Sequence, residues 1–469
     1  MENKAFSRKL QHLYWRAGFG PALRQQEAPR NIRQAVKQLL RDAQHIHPLP
    51  ATHREGEERQ TGMSDAEERL RRQRERRQAI EQLNYTWLNQ MATAQEQLRE
   101  KMTLFWHGHF ACRLREPRLM QLQNNTLRQH ALGTFPELLQ AIAKDPGMLQ
   151  FLNNQQNRKQ RPNENFAREL LELFTLGRGH YTEQDIKEAA RAFTGWSYNA
   201  QGEFVFRKRQ HDNGPKTFMG HKGNFNGDDI LRLVVENPRT ATFLTQKIYT
   251  FFVSEVPDEA RIQKLSAHFY KSGYNISSLL EKIFTSGWFY KPDVVGNRIK
   301  SPVELLVGLQ RQFAVAYADR RSPLVLQRAL GQELLQPPNV GGWPGGRNWI
   351  DSSTLAYRLR IGPALLQDVA LEISLKPDDD AEPSKPVTRR NNGLRIARAK
   401  ASLQELHERV EQVEERELTG ALIQLLLQVP LQPQTRELLE QHIPATASRA
   451  EKIHLISSYL LSLPEYQLC

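Results

Sequence analysis

The sequence predicts a mainly α-helical protein, an irregular multi-helix globular domain with long Gly/Pro-rich loops and at most one small β-hairpin. Three observations support this class. Apolar residues recur with helical periodicity over most of the chain, strand-like alternation is confined to one short region, and Gly- and Pro-rich stretches separate the periodic segments. With 469 residues, 39% of them hydrophobic, the chain can bury at least one large core.

The N-terminal part, residues 1–84, is predicted to contain helices that break at Gly18–Pro21. A charged stretch at 54–82 follows, and its composition is typical of a solvated helix or a mobile hairpin. Ser64 followed three positions later by Glu67 fits a capping box, in which each residue bonds the backbone of the other. We therefore expect a helix to begin there.

The rest of the chain divides into three predicted parts. Residues 85–375 are denser in aromatics and glycines, and we expect them to form the helical core that carries the functional site. Residues 376–393 are polar and Pro-rich, as in a linker or an exposed loop. Residues 394–469 show helical periodicity again and should pack on the core as C-terminal helices.

The excess of positive charge indicates either acidic partners or plain solubility and surface chemistry without a dedicated polyanion site. Lys and Arg number 65 against 52 Asp and Glu, which gives a formal charge of +13. The run from Ala66 to Arg77 is rich in arginine, and it is either a polyanion contact or a solvated helix face. Glu67, Glu68 and Glu75 interrupt it and no aromatic residues interleave for base stacking, so nucleic-acid binding is disfavoured.

Cysteine content and hydropathy limit the class of protein further. Cys112 and Cys469 are the two cysteines, which excludes a disulfide framework and a cysteine-based zinc site. Residues 1–17 carry charges throughout and resemble no signal peptide, and no run of 18 apolar residues predicts a membrane span. As written, the sequence predicts a cytoplasmic protein.

The segment Phe105–Phe110 places His107 and His109 two positions apart between large aromatics. In an extended backbone, side chains at this spacing point to the same face. Two neutral imidazoles on one face can bind a metal ion or act as an acid–base pair. The segment is therefore a candidate site.

A second candidate lies on the helix predicted for residues 163–176. On a wheel of 100° per residue, one broad apolar arc contains a single carboxylate, Glu169, and Asn165 borders the same edge. A carboxylate directed toward a core needs a cation, a metal or hydrogen-bond donors. Glu169 is thus either a buried structural ion pair or a metal ligand or general base.

Two loop segments add further candidates. His180 lies between two predicted helices, where it would either line a pocket or close the loop by a hydrogen bond, and Thr182 with Asp185 fits a capping box. The loop 337–349 contains Trp343 and Trp349 among several Gly and Pro residues. Because exposed tryptophan is costly, this loop either clamps the fold or lines a pocket for a sugar ring or an aromatic ligand.

The predicted hairpin pairs Phe204–Phe206 with Thr217–Met219 across a turn that contains His211 and Asp212. An adjacent His and Asp can bind metal or act as a general base with its orienting group, and Lys216 adds a cation. The Asp could equally stabilise the turn through its own backbone.

The ordered motifs together resemble a bacterial family catalogued as domain of unknown function 1800 (DUF1800). The resemblance covers nearly the whole chain and rests on the following segments: Arg16–Gly20, Phe105–Phe110, Asn163–Gly177, Tyr181–Trp196, His211–Gly220, Lys300–Glu304, Pro337–Trp349 and Ser462–Gln467. It implies a predominantly helical fold without a settled activity. It also implies a periplasmic or secreted location and a sulfatase-like partner, because many members carry export signals and are encoded beside a sulfatase-like family.

The leading hypothesis is a metal-assisted enzyme, hydrolytic or redox, with a divalent metal of undetermined identity. The alternatives are a binding module for polysaccharide or for a sulfatase-like protein, and polyanion binding by the Arg-rich segment. The residues assigned are the metal ligands His107, His109 and His211, the catalytic groups Glu169, Asp212 and Lys216, and the substrate-pocket residues Asn165, His180, Trp343 and Trp349.

Overall fold

The computed structural model describes residues 2–22, 29–51, 64–374 and 395–469. The predicted linker at 376–393 and the first part of the charged stretch, residues 54–63, lie outside the described residues. Within the described ranges, no helix is both long enough and apolar enough to cross a membrane.

The described part of the chain contains twenty α-helices, which confirms the mainly α class. Ten lie in the first half: α1 Glu2–Ala17, α2 Ile32–Asp42, α3 Asp65–Thr93, α4 Gln97–His109, α5 Pro117–His130, α6 Phe135–Ala143, α7 Pro146–Phe151, α8 Asn165–Glu169, α9 Glu183–Ala192 and α10 Gly227–Glu236. Ten follow: α11 Pro238–Phe252, α12 Glu259–Lys271, α13 Ile276–Phe284, α14 Pro302–Phe313, α15 Arg321–Leu330, α16 Ser352–Leu366, α17 Gln404–Val410, α18 Leu418–Leu426, α19 Pro433–Gln441 and α20 Arg449–Leu461.

Short strands form four two-stranded antiparallel sheets among the described residues. The pairs are β1 Trp196–Tyr198 with β2 Phe204–Phe206, β3 Lys216–Phe218 with β4 His221–Gly223, β5 Ala316–Tyr317 with β8 Ala399–Lys400, and β6 Leu371–Ile373 with β7 Arg395–Ala397. The predicted pairing of Phe204–Phe206 with Thr217–Met219 is therefore wrong. Met219 and Gly220 both adopt positive φ and close a tight turn between β3 and β4, so each arm pairs with a nearer neighbour instead.

Both capping boxes predicted from the sequence are confirmed. Ser64 and Glu67 bond each other's backbone at the start of α3, and Thr182 and Asp185 do so at the start of α9. The charged stretch from residue 65 onward is the first half of the long helix α3, and it is not a hairpin. Its arginines are largely ion-paired, in the pairs Arg71–Glu68, Arg71–Glu75, Arg72–Glu68, Arg76–Glu116 and Arg77–Glu81.

Two hydrophobic cores meet at helix α14. The larger core draws on the chain from Leu10 to Leu335, and the smaller one on residues 305–466. Val303 and Val307 of α14 belong to the first core, whereas Leu305 and Leu309 face the second. This alternation follows from the helical period, which turns neighbouring residues to different sides of the axis.

Candidate functional site

His107 and His109 lie in helix α4. The prediction that they share a face assumed an extended backbone. Residues two apart on a helix are separated by about 200° around its axis, so the two imidazoles point to different sides. The expectation of one shared face is wrong. Nearly every residue of α4 is buried, including Arg99, Glu100 and Lys101, so no polar face reveals the helical period in the sequence.

The two imidazoles are packed in separate surroundings. His107 contacts the rings of Trp87 and Trp343, at 5.1 Å and 5.3 Å between centroids, and its Nε2 accepts a hydrogen bond from the Leu335 amide at 3.1 Å. Burial lowers the pKa of His107 to about 3. His109 Nε2 lies 3.1 Å from the Phe174 carbonyl, and burial followed by the charge of Lys247 lowers the pKa of His109.

The helix that carries Glu169 is interrupted. α8 ends at Glu169 and continues as a π-helix at Leu170–Thr175, in which the Thr175 hydroxyl donates to the Leu170 carbonyl at 2.6 Å. The wheel of 100° per residue therefore fails beyond this point. Glu169 is half-buried, and burial together with the nearby Glu172 raises the pKa of its carboxyl.

Asn165 and His180, the two polar residues predicted for the substrate pocket, are exposed.

His211, Asp212 and Lys216 pack against α9. His211 Nδ1 lies 2.9 Å from the Thr194 carbonyl, and the Lys216 ammonium donates to the Asp212 carbonyl at 2.6 Å. Asp212 pairs with Arg191 at 2.8 Å, which lowers the pKa of the carboxyl, and also accepts from the Gly214 amide. These contacts hold the turn against α9, as expected if Asp212 stabilises the turn.

The loop 337–349 packs on α4. Gly342 adopts φ +78° and lies so close to Gly108 that an added Cβ would overlap the Gly108 carbonyl oxygen. Trp343 is half-buried against His107, whereas Trp349 is 7% exposed and belongs to the interior. The loop therefore acts as a clamp at Trp349 and leaves part of Trp343 accessible.

The predicted site residues form separate groups. One group contains His107 and Trp343, which are in contact. The other contains His211, Asp212 and Lys216, in which Lys216 contacts Asp212. Over the described ranges, no three His, Cys, Asp or Glu side chains are placed to hold a metal ion together.

A cleft of about 550 Å³ lies at the junction of α3 and α4, a volume typical of ligand sites. It is lined by His45, His47, Thr86, Gln90, Thr93, Ala94, Gln95 and Glu96. Apart from Ala94, the histidines and one carboxylate, the lining side chains are neutral hydrogen-bonding groups.

His47 and Glu96 are hydrogen-bonded to each other in this cleft. His47 Nδ1 lies 2.6 Å from Glu96 Oε1, and the histidine side chain is 68% exposed whereas that of Glu96 is 5% exposed. A carboxylate accepts hydrogen bonds, so it holds the proton on Nδ1 and leaves the Nε2 lone pair free. The arrangement is that of a general base with its orienting group.

The local sequence explains why His47 is held in place. α2 ends at Asp42, and the chain then runs without helix or strand through His47. Gln90 of α3 donates to the His47 carbonyl at 2.7 Å, and the Leu49 amide donates to Asn125 at 2.8 Å. Sequence reasoning missed this site, although His45 and His47 have the same spacing as His107 and His109.

A family model described as "Protein of unknown function (DUF1800)" matches residues 12–468. No curated protein and no solved structure matches the chain.

Proposed function

Because the chain belongs to the DUF1800 family of proteins of unknown function, its activity has to be argued from its own residues, and we propose that it is a hydrolytic enzyme in which His47 acts as the general base. The hydrogen bond of 2.6 Å between His47 and Glu96, in a cleft large enough for a ligand, carries this proposal. It keeps the hydrolytic class predicted from the sequence and moves the site to the α3–α4 cleft.

The proposed roles follow from burial. Glu96 is enclosed by protein, so its carboxylate is fixed and orients the imidazole ring. His47 lines the cleft, and its Nε2 would take a proton from a water molecule as the water oxygen bonds to the electrophilic carbon of the substrate. The bond from that carbon to the leaving group breaks, and the protonated imidazole returns its proton to the leaving group. A positioned general base contributes roughly 100- to 10,000-fold to a rate.

The lining residues support a neutral polar substrate. Gln95 and Thr86 offer an amide and a hydroxyl group, which bind hydroxyl- or amide-rich molecules such as saccharides and peptides by hydrogen bonds. The Gln90 amide and the Thr93 hydroxyl already donate within the protein, to His47, Glu100 and Asn89. Glu96 supplies the carboxylate of this lining, and this carboxylate is hydrogen-bonded to His47. An acidic substrate would meet a carboxylate without a neighbouring Lys or Arg in the lining, so we favour neutral substrates.

The test is a hydrolysis screen with chromogenic glycosides, carboxylic esters and peptide anilides. We expect one class to be turned over, with a loss of roughly 100-fold or more in His47→Ala and a smaller loss in Glu96→Gln. His45→Ala is the matched control, because His45 lines the same cleft and is not bonded to Glu96. Turnover that survives in His47→Ala would refute the proposal.

Non-catalytic binding of a polysaccharide is the second candidate, and the amide of Gln95 and the hydroxyl of Thr86 support it too. It predicts that oligosaccharides raise the melting temperature of both the wild type and His47→Ala without being consumed. A catalytic role predicts consumption by the wild type alone.

The divalent metal, the sulfatase-like partner and polyanion binding stay proposals. The metal is supported by the tautomer of His109, whose Nε2 donates to a carbonyl and leaves a buried, unpaired Nδ1. Elemental analysis of protein purified without an affinity tag tests it. Substoichiometric metal in an active preparation would sink this proposal without affecting His47.

A further inference from the structure

Five basic side chains lie buried where the two hydrophobic cores meet. They are Arg16, Lys101, Arg298, Lys300 and Arg358, each 7% exposed or less. Glu304, also buried, pairs with Lys101 at 2.5 Å and lies 3.8 Å from Arg298. Glu304 and the negative charge at the buried Cys469 oppose these five basic groups, so positive charge still exceeds negative charge in a region that water does not reach.

The remaining cations are held mainly by carbonyl groups. Arg16 donates to the carbonyls of Phe252, Val253 and Val294, and the Lys300 ammonium donates to the Tyr466 carbonyl at 2.6 Å. Burial lowers the pKa of Lys300 to about 7, and negative charge at Cys469 and Glu304 opposes that effect. Carbonyl dipoles lower the cost of burying a cation but do not neutralise it.

Unused hydrogen-bond donors concentrate around Arg358 and Gln467. Arg358 Nη1 donates to the Lys300 carbonyl at 3.0 Å and to Gln467 Oε1 at 3.3 Å. The Nε and Nη2 groups of Arg358 and the Nε2 group of Gln467 have no acceptor among the described residues. Arg358 is 1% exposed and Gln467 is 3% exposed, so bulk water cannot serve them.

The chemistry of these donors indicates what belongs beside them. A water molecule in such a position accepts two hydrogen bonds but must also donate two, and the unused groups here are all N–H donors. A small anion only accepts, and it would offset the excess charge as well. We propose that one chloride-sized inorganic anion binds where the side chains of Arg358 and Gln467 meet.

This anion site is independent of the α3–α4 cleft. It joins α16, the segment before α14 and the segment after α20, because the Lys300 carbonyl and Gln467 both bond Arg358. The bound anion would therefore stabilise the packing of the C-terminal helices against the larger core.

The first test uses the whole protein crystallised from sodium bromide. We expect an anomalous bromide peak beside Arg358 Nη2 and Gln467 Nε2. In parallel, replacing sodium gluconate by sodium chloride at constant ionic strength should raise the melting temperature by about 2–5 °C. Water at the position with a chloride-independent melting temperature overturns the proposal, and a bromide peak without any effect on melting identifies an adventitious ion only and overturns it too.

Gln467→Glu separates an anion site from ordinary packing. The substitution removes the unused Gln467 Nε2 donor and supplies a fixed negative charge to the unused N–H groups of Arg358. This variant should therefore melt at least as high as the wild type in gluconate and should no longer respond to chloride. Gln327→Glu is the matched control, because Gln327 is fully buried but hydrogen-bonded to Asn84 through both amide atoms. The control should be destabilised and keep the chloride response. A chloride response that persists in Gln467→Glu contradicts the proposal.

Discussion

Two segments of this protein share the pattern His-x-His and have opposite environments. His45 and His47 lie in a stretch without helix or strand, are both exposed, and line the α3–α4 cleft. His107 and His109 lie on a helix and are buried on different sides of it. The spacing of two places side chains on one face only where the backbone is extended, so the backbone decides what the pattern means.

The difference also separates packing from chemistry. The aromatics around His107 and His109 enclose both rings in the core, and burial alone keeps His107 neutral. The pair at residues 45 and 47 has no aromatic flanks. There, the buried carboxylate Glu96 supplies the orientation that a functional histidine needs.

Alanine substitution should give the largest contrast between the two segments. His107→Ala removes two ring contacts and leaves the buried Leu335 amide without its acceptor, so we expect a loss of about 3 kcal/mol in the free energy of unfolding. His45→Ala should change it by less than about 0.5 kcal/mol, because His45 is exposed. Urea denaturation measures both.

Equal losses for the two variants would mean that His107 does not pack in the core, and the comparison would fail.

The fold was largely predictable because its signals are local. The capping boxes at Ser64 and Thr182 depend on residues three apart, and the chain forms them where the sequence indicates. The pairing of strands was not predictable, because the positive φ values at Met219 and Gly220 favour a closer partner than the one the alternation suggested.

The site was less predictable because it depends on contacts between distant segments. Glu96 follows His47 by 49 positions, and nothing in the sequence joins them before α3 and α4 pack together. The helical wheel on which Glu169 was placed fails for another reason. A π-helix follows Glu169, so the geometry assumed for the wheel ends at the residue of interest.

We expect acid to lower the free energy of unfolding through the buried imidazole of His107. The pKa of His107 is about 3 in the folded state and 6.5 without burial, so between these values the unfolded chain takes up a proton that the folded chain does not. Stability supplied by this group is present above pH 6.5 and falls as the pH is lowered. From about pH 7.5 to about pH 5 the loss should be about 2 kcal/mol.

His107→Gln should remove that part of the pH dependence, because the amide oxygen can still accept from Leu335 and does not titrate. Denaturant titrations of both proteins across this pH range measure the slope. An unchanged slope in the variant would place the acid sensitivity elsewhere in the molecule.

The smallest expected effect tests whether the backbone at residue 108 is helical. Gly108 lies between the two buried histidines, within α4, and an added Cβ would meet no atom within 4 Å beyond the helix's own backbone. Alanine restricts the unfolded chain and favours the helix, so Gly108→Ala should stabilise the protein by roughly 0.5–1 kcal/mol. In a chain of 469 residues, thermal denaturation would register this as a rise of about 0.5–1 °C. In an extended segment, alanine has no such advantage. A neutral or destabilising result would therefore favour the extended backbone, in which His107 and His109 share a face.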